Sequence, residues 1–346
     1  MKPIIGITMG DPAGVGSEII AKALNIPAVY AECCPLVIGD KRAMEEAVKI
    51  AKVNSEVSGI EHISEASFNH GTIDVYDLKN IHLEKIPYGN VNADCGKAAG
   101  EYIEKAIHMA LDKEIAAVVT APINKESFDL GGYGKKYRGH TEMLAALTHS
   151  KKAFMLLASG NLRVIHVTTH VPMRKAVDLI KTERVYNTIH KAYEACEQLG
   201  IESPGIGVCG LNAHASDGGI MGREEIEEII PAIKKARADG LNVEGPIPGD
   251  SIFPRGRAGT YDIIVAMYHD QGHIPVKLVG FHWDGNAWSS VSGVNITIGL
   301  PIIRTSVDHG TAFGKAGKGL ANEKSLLDAI DYAILIAKNR GIEVKR

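Results

Sequence analysis

Short apolar runs alternate along this chain with longer segments in which apolar residues recur every three or four positions. The runs are rich in Val, Ile and Leu and are bounded by turn residues, as is typical of buried strands. They predict strands within KPIIGIT, PLVIG, IAAVVTAP, AFMLLA, LRVIHVTT, GIGVCGL, YDIIVAMY and VNITIGL. Strands that alternate with helices favour an α/β fold with mostly parallel sheets covered by helices.

The helical segments carry signals for where each helix begins and ends. Helices are predicted within SEIIAKAL, CGKAAGEYIEKAIHMALDK, TERVYNTIHKAYEACEQLG, REEIEEIIPAIKKARADG and EKSLLDAIDYAILIAKNRG. Ser17 and Thr182 are expected as N-caps, and Gly200 and Gly341 as the residues that end two of the helices. In REEIEEIIPAIKKARADG the acids come first and the bases last, which complements the helix dipole.

Two glycine-rich segments invite comparison with nucleotide-binding loops. Gly205, Gly207 and Gly210 match the spacing G-x-G-x-x-G, but they lie in a predicted strand that a loop follows. A dinucleotide fingerprint requires glycines between a strand and a helix, so we reject it here. The segment MGDPAGVGSE at 9–18 does run from a strand into a helix. Its glycines either let the backbone approach a ligand or form a tight turn, and their spacing is not that of a P-loop.

Length, composition and charge narrow the classes of function. The chain has 346 residues, enough for two domains, and a formal net charge of −3. This balance gives no indication of nucleic-acid binding, and no apolar run approaches the length of a membrane span. The start MKPIIGITMGDPAG is unlike a signal peptide, so we expect a cytoplasmic protein. The five cysteines form no C-x-x-C pair, which favours buried thiols over disulfides or a thiolate zinc site.

Histidines follow three of the predicted strands. His170 comes after LRVIHVTT, His214 after GIGVCGL and His269 after YDIIVAMY. The carboxyl ends of parallel strands lie at one edge of a sheet, so these side chains can converge. Three imidazoles would bind a divalent transition metal and leave a coordination position open for substrate. Each histidine alone is as easily a core or surface residue, and His166, inside its strand, is the weakest candidate.

Further polar residues beside apolar strands suggest acid–base chemistry and anion binding. Asp250, between turn residues, is either a general base or a solvated loop carboxylate. Lys277, Asn295 and Arg304 either hold an anion or extend from the sheet edges into water. His140 leads into a predicted helix, a position where an anion could bind.

Motifs along nearly the whole chain resemble those of one enzyme family. In order they are ITMGDPAGVGSEI, TAPINKE, GHTE, TTHVP, GLNAHA, YHDQGHIPVK and GVNITIGLPIIRTSVDHGTAF. Together they resemble the PdxA family of 4-hydroxythreonine-4-phosphate dehydrogenases and their relatives that oxidise 4-phospho-D-threonate or 4-phospho-D-erythronate. The resemblance implies a two-domain α/β/α fold like that of isocitrate and isopropylmalate dehydrogenases, without the classical Rossmann fingerprint. It implies one domain of residues 1–140 plus 302–346, and a second of residues 141–301 with the metal ligands and the dimer interface.

The resemblance also assigns roles to residues of this chain. The metal ligands fall on His170, His214 and His269, and the cation would be zinc, magnesium, manganese or cobalt. Catalysis falls on Asp250 and Lys277. Substrate contacts fall on His140, Thr141, Lys277, Asn295 and Arg304. The nucleotide loop falls on 308–322, where NAD, or NADP, would contact His309, Gly310, Gly317, Gly319 and Asn322.

The implied activity is oxidation by NAD of the C3 hydroxyl of a 4-phosphorylated four-carbon hydroxy acid, followed by decarboxylation. The implied partners are the small phosphorylated substrate and a second copy of the chain, in a homodimer whose active site draws on both subunits. Neither nucleic acid nor a membrane is expected. Within the family, the segment GHIPVK resembles the 4-phospho-D-threonate and 4-phospho-D-erythronate dehydrogenases more closely than it resembles the 4-hydroxythreonine-4-phosphate dehydrogenases.

The chain departs from the family's pattern at three places. Gly314 and Lys315 stand where the nucleotide loop usually reads Asp-Ile. GLNAHASDGG lacks the usual Pro before the ligand histidine and the usual Gly-Glu after it. The segment 278–293 is longer than the family pattern and contains both tryptophans. The first departure leaves a second hypothesis open, a metal-dependent phosphosugar-acid-binding protein that has lost NAD-dependent catalysis.

Overall fold

The apolar runs form buried strands in the protein's structure, a computed structural model. The structure describes residues 2–81, 84, 86–150, 153–283, 285, 288–342 and 344. Contacts divide the chain into a first unit, Met1–Ala153 with Leu300–Arg346, and a second unit, Phe154–Gly299. The chain therefore leaves the first unit once and returns to it.

Many of the strands bury every residue, which is expected where helices cover both faces of a parallel sheet. In chain order the strands are β1 (Ile4–Thr8), β2 (Cys34–Gly39), β3 (Glu56–Ile60), β4 (Thr72–Asp77), β5 (Ala117–Thr120), β6 (Phe154–Ser159), β7 (Leu162–His166), β8 (Ile206–Cys209), β9 (Val243–Ile247), β10 (Ile263–Ala266), β11 (Phe281–Trp283), β12 (Trp288–Val291), β13 (Val294–Ile298) and β14 (Arg304–Val307).

The helices pack against these sheets, and three of them begin with a side-chain cap. In chain order they are α1 (Gly16–Leu24), α2 (Pro27–Glu32), α3 (Lys41–Ala51), α4 (Ala93–Leu111), α5 (Lys125–Leu130), α6 (His140–Leu147), α7 (Met173–Asp178), α8 (Thr182–Gln198), α9 (Ile230–Ala238), α10 (Gly249–Arg257), α11 (His269–Gly280) and α12 (Lys324–Asn339). Asp40, Asn92 and Asn124 each accept a hydrogen bond from the backbone N–H three residues later, which stabilises the first turn.

The first unit is built around a parallel sheet with the strand order β3-β4-β2-β1-β5-β14. Neighbouring strands pair in parallel along this order. From β1 the chain places β2 on one side and β5 on the other, so the order reverses beside β1. In such sheets ligands bind beyond the carboxyl ends of the strands where the order reverses. The fold thus directs attention to the residues that follow β1 and β5.

The second unit contains the strand order β13-β6-β7-β10-β8-β9. β7, β10, β8 and β9 pair in parallel, whereas β13 and β6 are antiparallel to their neighbours. Its core includes the buried side chains of Leu162, Val164, Ile252, Ile264 and Val276. β11 and β12 form a separate antiparallel pair.

The fold class predicted from the sequence is confirmed. Each apolar run contains a strand, the sheets are mostly parallel, and the predicted helices are present as α1, α4, α8, α9 and α12. One turn of π-helix at Glu225–Ile229 leads into α9. The glycine motif that we rejected as a nucleotide fingerprint also has the expected structure. Gly207 lies within the strand β8, and a turn, not a helix, follows that strand directly.

Two predicted helix caps are wrong. Ser17 lies inside α1, whose cap is Val15, and Thr182 is the first residue of α8, whose cap is Lys181. Thr182 donates its backbone N–H and its hydroxyl to the Glu228 carboxylate at 2.7 and 2.8 Å. Thr182 is thus held to Glu228 from a position inside the helix, one residue after the cap.

Several elements have a sequence pattern too weak to predict. β3, β4 and β9 contain polar residues or glycine among few apolar ones. Helix α11 contains Gly272 and Pro275, residues that disfavour a helix interior. In the long segment 278–293, residues 284, 286 and 287 lie outside the described residues. No helix within the described ranges is long and apolar enough to cross a membrane.

Candidate active site

Three adjacent strands of the second unit carry the predicted metal-binding histidines beyond their carboxyl ends. β7, β10 and β8 are parallel neighbours in that order. His170 follows β7, His269 begins α11 after β10, and His214 lies in the turn after β8. The sheet therefore brings the three segments to one edge.

His170 and His269 lie beside each other at this edge. Their ring centroids are 5.5 Å apart, and both residues line a cavity of about 410 Å³. His269 Nδ1 is 2.6 Å from Asp270 Oδ1. Because an ionised carboxylate only accepts hydrogen bonds, Nδ1 carries the proton and Nε2 holds the lone pair. A carboxylate that orients a histidine in this way is typical of metal-ligating imidazoles.

His214 lies in a tight left-handed turn. The residues from His214 to Asp217 all have positive φ, between 44° and 72°. His214 Nδ1 lies 3.2 Å from Asp217 Oδ2, and 63% of the His214 side chain is exposed. Among the described residues, no three His, Cys, Asp or Glu side chains lie close enough to hold one metal ion. Each histidine thus has a side chain that suits a divalent metal ion. The described part of a single chain, however, does not bring three such donors together.

A buried glutamate fixes the segment that leads to His214. Glu225 Oε1 accepts hydrogen bonds from the backbone N–H groups of Leu211 and Asn212, both at 2.7 Å, and Oε2 accepts one from the Asn212 side-chain amide at 2.8 Å. Glu225 is 1% exposed. Sequence reasoning missed this role, because an acid at the start of a helical segment resembles an ordinary solvated residue.

Two further histidines form a buried stack behind His269. His273 lies 3.6 Å from His269 and 4.7 Å from His166, measured between ring centroids. Nδ1 of His273 faces the carbonyl of His269, and Nδ1 of His166 faces the carbonyl of Met155, so both rings carry the proton on Nδ1. Burial, followed by the nearby histidines, lowers the pKa of His166 to about 3 and that of His273 to about 4. Both rings are therefore neutral near pH 7.

Asp250 and His214 line a second, larger cavity in this unit. The cavity has a volume of about 810 Å³, and most of its wall is apolar, including Leu211, Phe253, Ile274 and Leu278. Tyr268 and Asp270 line both cavities. The candidate base and His214 thus line one cavity, the pair His170 and His269 lines the other, and the two cavities share Tyr268 and Asp270.

Lys277 and Asn295 are not among the described residues that line these two cavities. Lys277 Nζ lies 4.8 Å from the centroid of the Phe281 ring, a cation–π contact. The Lys277 charge also contributes to the lowered pKa of His273. Asn295 lies in β13 opposite Leu157 of β6.

In the first unit, a buried guanidinium lies beside the carboxyl end of β5. Arg304 is 4% exposed and donates a hydrogen bond from Nη2 to Thr120 Oγ1 at 2.7 Å. Burial lowers the pKa of Arg304 to about 10, so it remains charged at neutral pH. A planar charged fork in a dry setting is suited to bind a phosphate or a carboxylate.

Arg304 and Lys125 both lie within electrostatic range of His140. Burial, followed by the charges of Arg304 and Lys125, holds the pKa of His140 well below its ordinary value. Nε2 of His140 is buried and has no hydrogen-bond partner among the described residues. Thr141 follows His140 in the first turn of α6. Three predicted substrate residues thus share one part of the first unit, together with Lys125, to which sequence reasoning gave no role.

A second buried group that sequence reasoning missed is the carboxyl of Asp11, beyond β1. Asp11 is 0% exposed, and its Oδ1 accepts a hydrogen bond from the Ala13 N–H at 2.9 Å. Burial raises the pKa of Asp11, and hydrogen bonds from Ala13, Ser127 and Asn124 oppose that rise. Its backbone N–H donates to the Pro122 carbonyl at 3.0 Å. Asp11 therefore joins the segments after β1 and β5, where the strand order reverses.

The predicted nucleotide loop is shaped by glycines. Gly317 and Gly319 have φ of +75° and +66°, and a Cβ at these positions would come within 2.9 Å of Tyr88 Cβ and 2.5 Å of the Ile50 carbonyl oxygen. The N–H groups of both glycines donate to the Glu18 carboxylate. Any contact of these two glycines with a nucleotide would therefore involve atoms other than their N–H groups.

The remaining predicted nucleotide residues lie towards the ends of the loop. His309 Nδ1 is 2.9 Å from the Gly310 carbonyl oxygen. Asn322 Oδ1 accepts a hydrogen bond from the Lys324 N–H at 2.9 Å. Gly310 and Asn322 are exposed, so a ligand from solvent can reach them.

Comparison with known protein families decides the assignment that the motifs suggest. The family model described as "Pyridoxal phosphate biosynthetic protein PdxA" matches residues 31–333. This chain belongs to the PdxA family. The resemblance seen in the sequence motifs is thereby confirmed.

Other PdxA-type proteins match nearly the whole chain. The D-threonate 4-phosphate dehydrogenase of Cupriavidus necator is 48% identical over 339 residues, which cover 98% of both chains. The solved 4-hydroxythreonine-4-phosphate dehydrogenase of Burkholderia phymatum is 45% identical with a TM-score of 0.82 and covers 100% of both chains. That of Klebsiella pneumoniae is 41% identical with a TM-score of 0.85 and covers 97% of this chain and 98% of its own. This PdxA-family member is an oxidoreductase, and the dehydrogenase names do not support the hypothesis of a non-catalytic binding protein.

Proposed function

We propose that this PdxA-family protein is a cytoplasmic, divalent-metal-dependent dehydrogenase that uses NAD to oxidise the C3 hydroxyl of 4-phospho-D-threonate. 4-Phospho-D-erythronate and 4-hydroxythreonine-4-phosphate are the related candidates, and each oxidised product then loses CO₂. The observation that carries the choice of substrate is the 48% identity, across 98% of both chains, to the D-threonate 4-phosphate dehydrogenase.

The first unit supplies cationic and polar groups for the phosphate of such a substrate. Arg304 is buried and charged, and His140 adds a neutral imidazole that lies within electrostatic range of both Arg304 and Lys125. A guanidinium fork in a dry site binds an anion through two parallel hydrogen bonds. In this proposal Arg304, His140 and Thr141 orient the phosphate, while Lys277 and Asn295 orient the carboxylate.

The second unit supplies imidazoles for a divalent cation. His170 and His269 lie side by side, and Asp270 fixes the lone pair of His269 on Nε2. In this proposal His214 of a second copy of the chain completes the ligand set, because the described part of one chain brings no three such side chains close enough to hold a metal ion. A bound cation would lower the pKa of the substrate hydroxyl and polarise the carbonyl that forms at C3.

A homodimer is supported by apolar side chains beside these histidines. Ile274 and Leu278 on α11 are 64% and 78% exposed, and Ile220 and Met221, just after the His214 turn, are 84% and 48% exposed. Exposed apolar patches of this kind mark protein interfaces. A second copy that covers them would lie against the segments that carry His269 and His214.

Asp250 acts as the general base in this proposal. It lies in the first turn of α10 and lines the same cavity as His214, where a hydroxyl proton can be transferred to it. General bases of this kind typically contribute about 10²- to 10⁴-fold to a rate. Asp250→Asn should therefore lower kcat and leave binding of the phosphorylated acid nearly unchanged.

The proposal is tested by a screen for nucleotide reduction. The purified protein is incubated with each of the three phosphorylated acids, with NAD or NADP, and with Mg²⁺, Mn²⁺, Co²⁺ or Zn²⁺. We expect reduction of NAD with 4-phospho-D-threonate at the highest kcat/KM, and its loss when a chelator removes the metal. The rise in the thermal midpoint with NAD and with NADP measures which nucleotide the loop that contains Gly314 and Lys315 prefers. Absence of reduction with every acid, metal and nucleotide would contradict the proposal.

A further inference from the structure

Two charged side chains on α1 hold the predicted nucleotide loop from inside the first unit. Glu18 is 0% exposed, and its Oε1 and Oε2 accept hydrogen bonds from the N–H groups of Gly317 and Gly319 at 2.5 and 2.9 Å. One helical turn later, Lys22 Nζ donates to the carbonyls of Gly319 and Ala321 at 2.8 and 2.6 Å. One helix thus satisfies both donors and acceptors of the segment 317–321.

The loop conformation explains why a carboxylate is needed at this place. Gly317 and Gly319 both adopt left-handed φ values, and their N–H groups point to one oxygen pair. Backbone N–H groups gathered by left-handed residues form a concavity that binds an anion. Here the anion is Glu18 of the same chain, so the concavity is filled before any ligand arrives.

The energetics of this contact depend on charge. Burial raises the pKa of Glu18, whereas the N–H groups of the loop and the charge of Lys22 lower it. Hydrogen bonds to an ionised carboxylate are stronger than those between neutral groups. Removing the carboxylate would leave partly buried N–H groups without an acceptor, which costs more than the loss of an exposed contact.

We propose that Glu18 and Lys22 are positioning residues for nucleotide binding, which hold residues 317–321 in the conformation that receives NAD. The inference rests on the proposed function, because that function places NAD along 308–322. Glu18 has no exposed surface, so it acts through the loop and not by touching the nucleotide. A loop that is already ordered loses less conformational entropy when it binds a ligand.

The test compares Glu18→Gln and Lys22→Met with Glu45→Gln, a control in which an exposed glutamate of α3, 3.7 Å from Lys41, loses its charge. In the full-length protein we expect Glu18→Gln to raise KM for NAD by about 10-fold or more, the equivalent of one lost buried hydrogen bond. The KM for the phosphorylated acid should change by less than about 2-fold and kcat at saturating NAD by less than about 3-fold. Lys22→Met should act in the same direction.

Hydrogen exchange gives an independent measurement of the loop itself. Amides of 312–322 should exchange faster in Glu18→Gln, while those of β1 and β5 keep their wild-type rates and Glu45→Gln changes neither. An unchanged KM for NAD would overturn the positioning role. A fall in kcat and in both affinities, accompanied by faster exchange throughout the first unit, would overturn it as well.

The failure of the proposed function has a different signature. If the wild-type protein neither reduces NAD or NADP nor binds them in calorimetry, the nucleotide role of Glu18 falls together with the proposed function. Faster exchange confined to 312–322 in Glu18→Gln would then remain as a property of the loop alone. Wild-type binding of NAD that Glu18→Gln does not weaken would overturn only the inference.

Discussion

Neighbouring oxygens decide which nitrogen carries the proton in four histidines near the candidate metal site. His269 and His214 face the carboxylates of Asp270 and Asp217, whereas His166 and His273 face backbone carbonyls. In all four rings the proton therefore lies on Nδ1 and the lone pair on Nε2. Burial, and not the kind of partner oxygen, distinguishes His166 and His273, which are buried and neutral near pH 7. From the sequence, His166 is already the weakest candidate because it lies inside its strand, whereas the burial of His273 depends on the packing of α11 and has no local signal.

His166 makes the stability of the protein sensitive to acid. Its pKa is about 3 in the folded state and about 6.5 in the unfolded state, so the unfolded state binds more protons between these values. The stability is fully present above pH 6.5 and is lost as the pH falls towards 3. From pH 6.5 to about pH 4.5, the free energy of unfolding of His166→Asn should fall less steeply than that of wild type, by up to about 1.4 kcal/mol per pH unit.

Urea unfolding at a series of pH values measures this difference in slope. His190→Asn is the matched control, since His190 lies at the surface and pairs with Asp239 at 3.0 Å. The same slope for wild type and His166→Asn would show that His166 does not titrate as a buried neutral imidazole.

Arg304 should control the affinity for the phosphorylated substrate. Arg304→Lys keeps the charge but loses the planar fork that can form two parallel hydrogen bonds, so we expect KM for the acid to rise about 10- to 100-fold. Steady-state kinetics measure the change, and the thermal midpoint reports whether the variant is folded. Arg340→Lys, at an exposed guanidinium that donates to the Pro301 carbonyl, is the control. If KM is the same in Arg304→Lys and in the control, Arg304 does not bind the substrate.

At the scale of elements, α11 depends on a glycine that ordinarily disfavours a helix. A Cβ on Gly272 would lie 2.3 Å from His166 Nε2 and 2.8 Å from Val164 Cγ1. The missing side chain therefore lets α11 pack directly on β7, with His269 at its first turn. Gly272 and Pro275 both have a low helix propensity, so the sequence pattern did not predict a helix here. Tertiary packing decides the conformation of this segment instead.

Gly272→Ala tests this packing through the direction in which it changes the free energy of unfolding. In an unconstrained helix the change stabilises by about 1 kcal/mol, but here overpacking should destabilise the protein by about 1–3 kcal/mol. Denaturant unfolding gives the free energy. Gly314→Ala, where a Cβ meets nothing within 4 Å, should stay close to wild type. A stabilised Gly272→Ala variant would contradict close packing between α11 and His166.

At the scale of the whole molecule, the strands were predictable and the contacts across the site were not. Runs such as IIGIT and IIVA are buried on both faces, so their composition alone indicates strands. The ends of those strands identified the histidine segments. The partners of these segments come from distant parts of the chain. Glu18 accepts hydrogen bonds from Gly317 and Gly319, which lie 299 and 301 positions later in the chain. No local sequence pattern predicts such a pairing.

The proposed homodimer predicts that two inactive variants can restore each other. His269→Ala and His214→Ala should each lose metal binding and turnover while remaining folded. In a mixed dimer, one site would take His170 and His269 from one chain and His214 from the other, all intact. Random mixing of equal amounts should therefore recover roughly a quarter of the wild-type activity.

Unfolding and refolding the two variants together, followed by an activity assay, measures this recovery. His214→Ala mixed with His214→Ala,His269→Ala is the control, since no arrangement of those chains gives a complete ligand set. An inactive mixture of the two single variants would show that the site does not draw on both copies.

The buried anchors provided by Glu18 and Glu225 have a consequence for how such enzymes diverge. They secure residues 317, 319, 211 and 212 from within, whereas Gly314 and Asp217, where this chain differs from the usual family pattern, lie exposed nearby. Substitutions at Gly314 or Asp217 should therefore change the exposed surface of each segment more than the backbone conformation that its own buried glutamate holds.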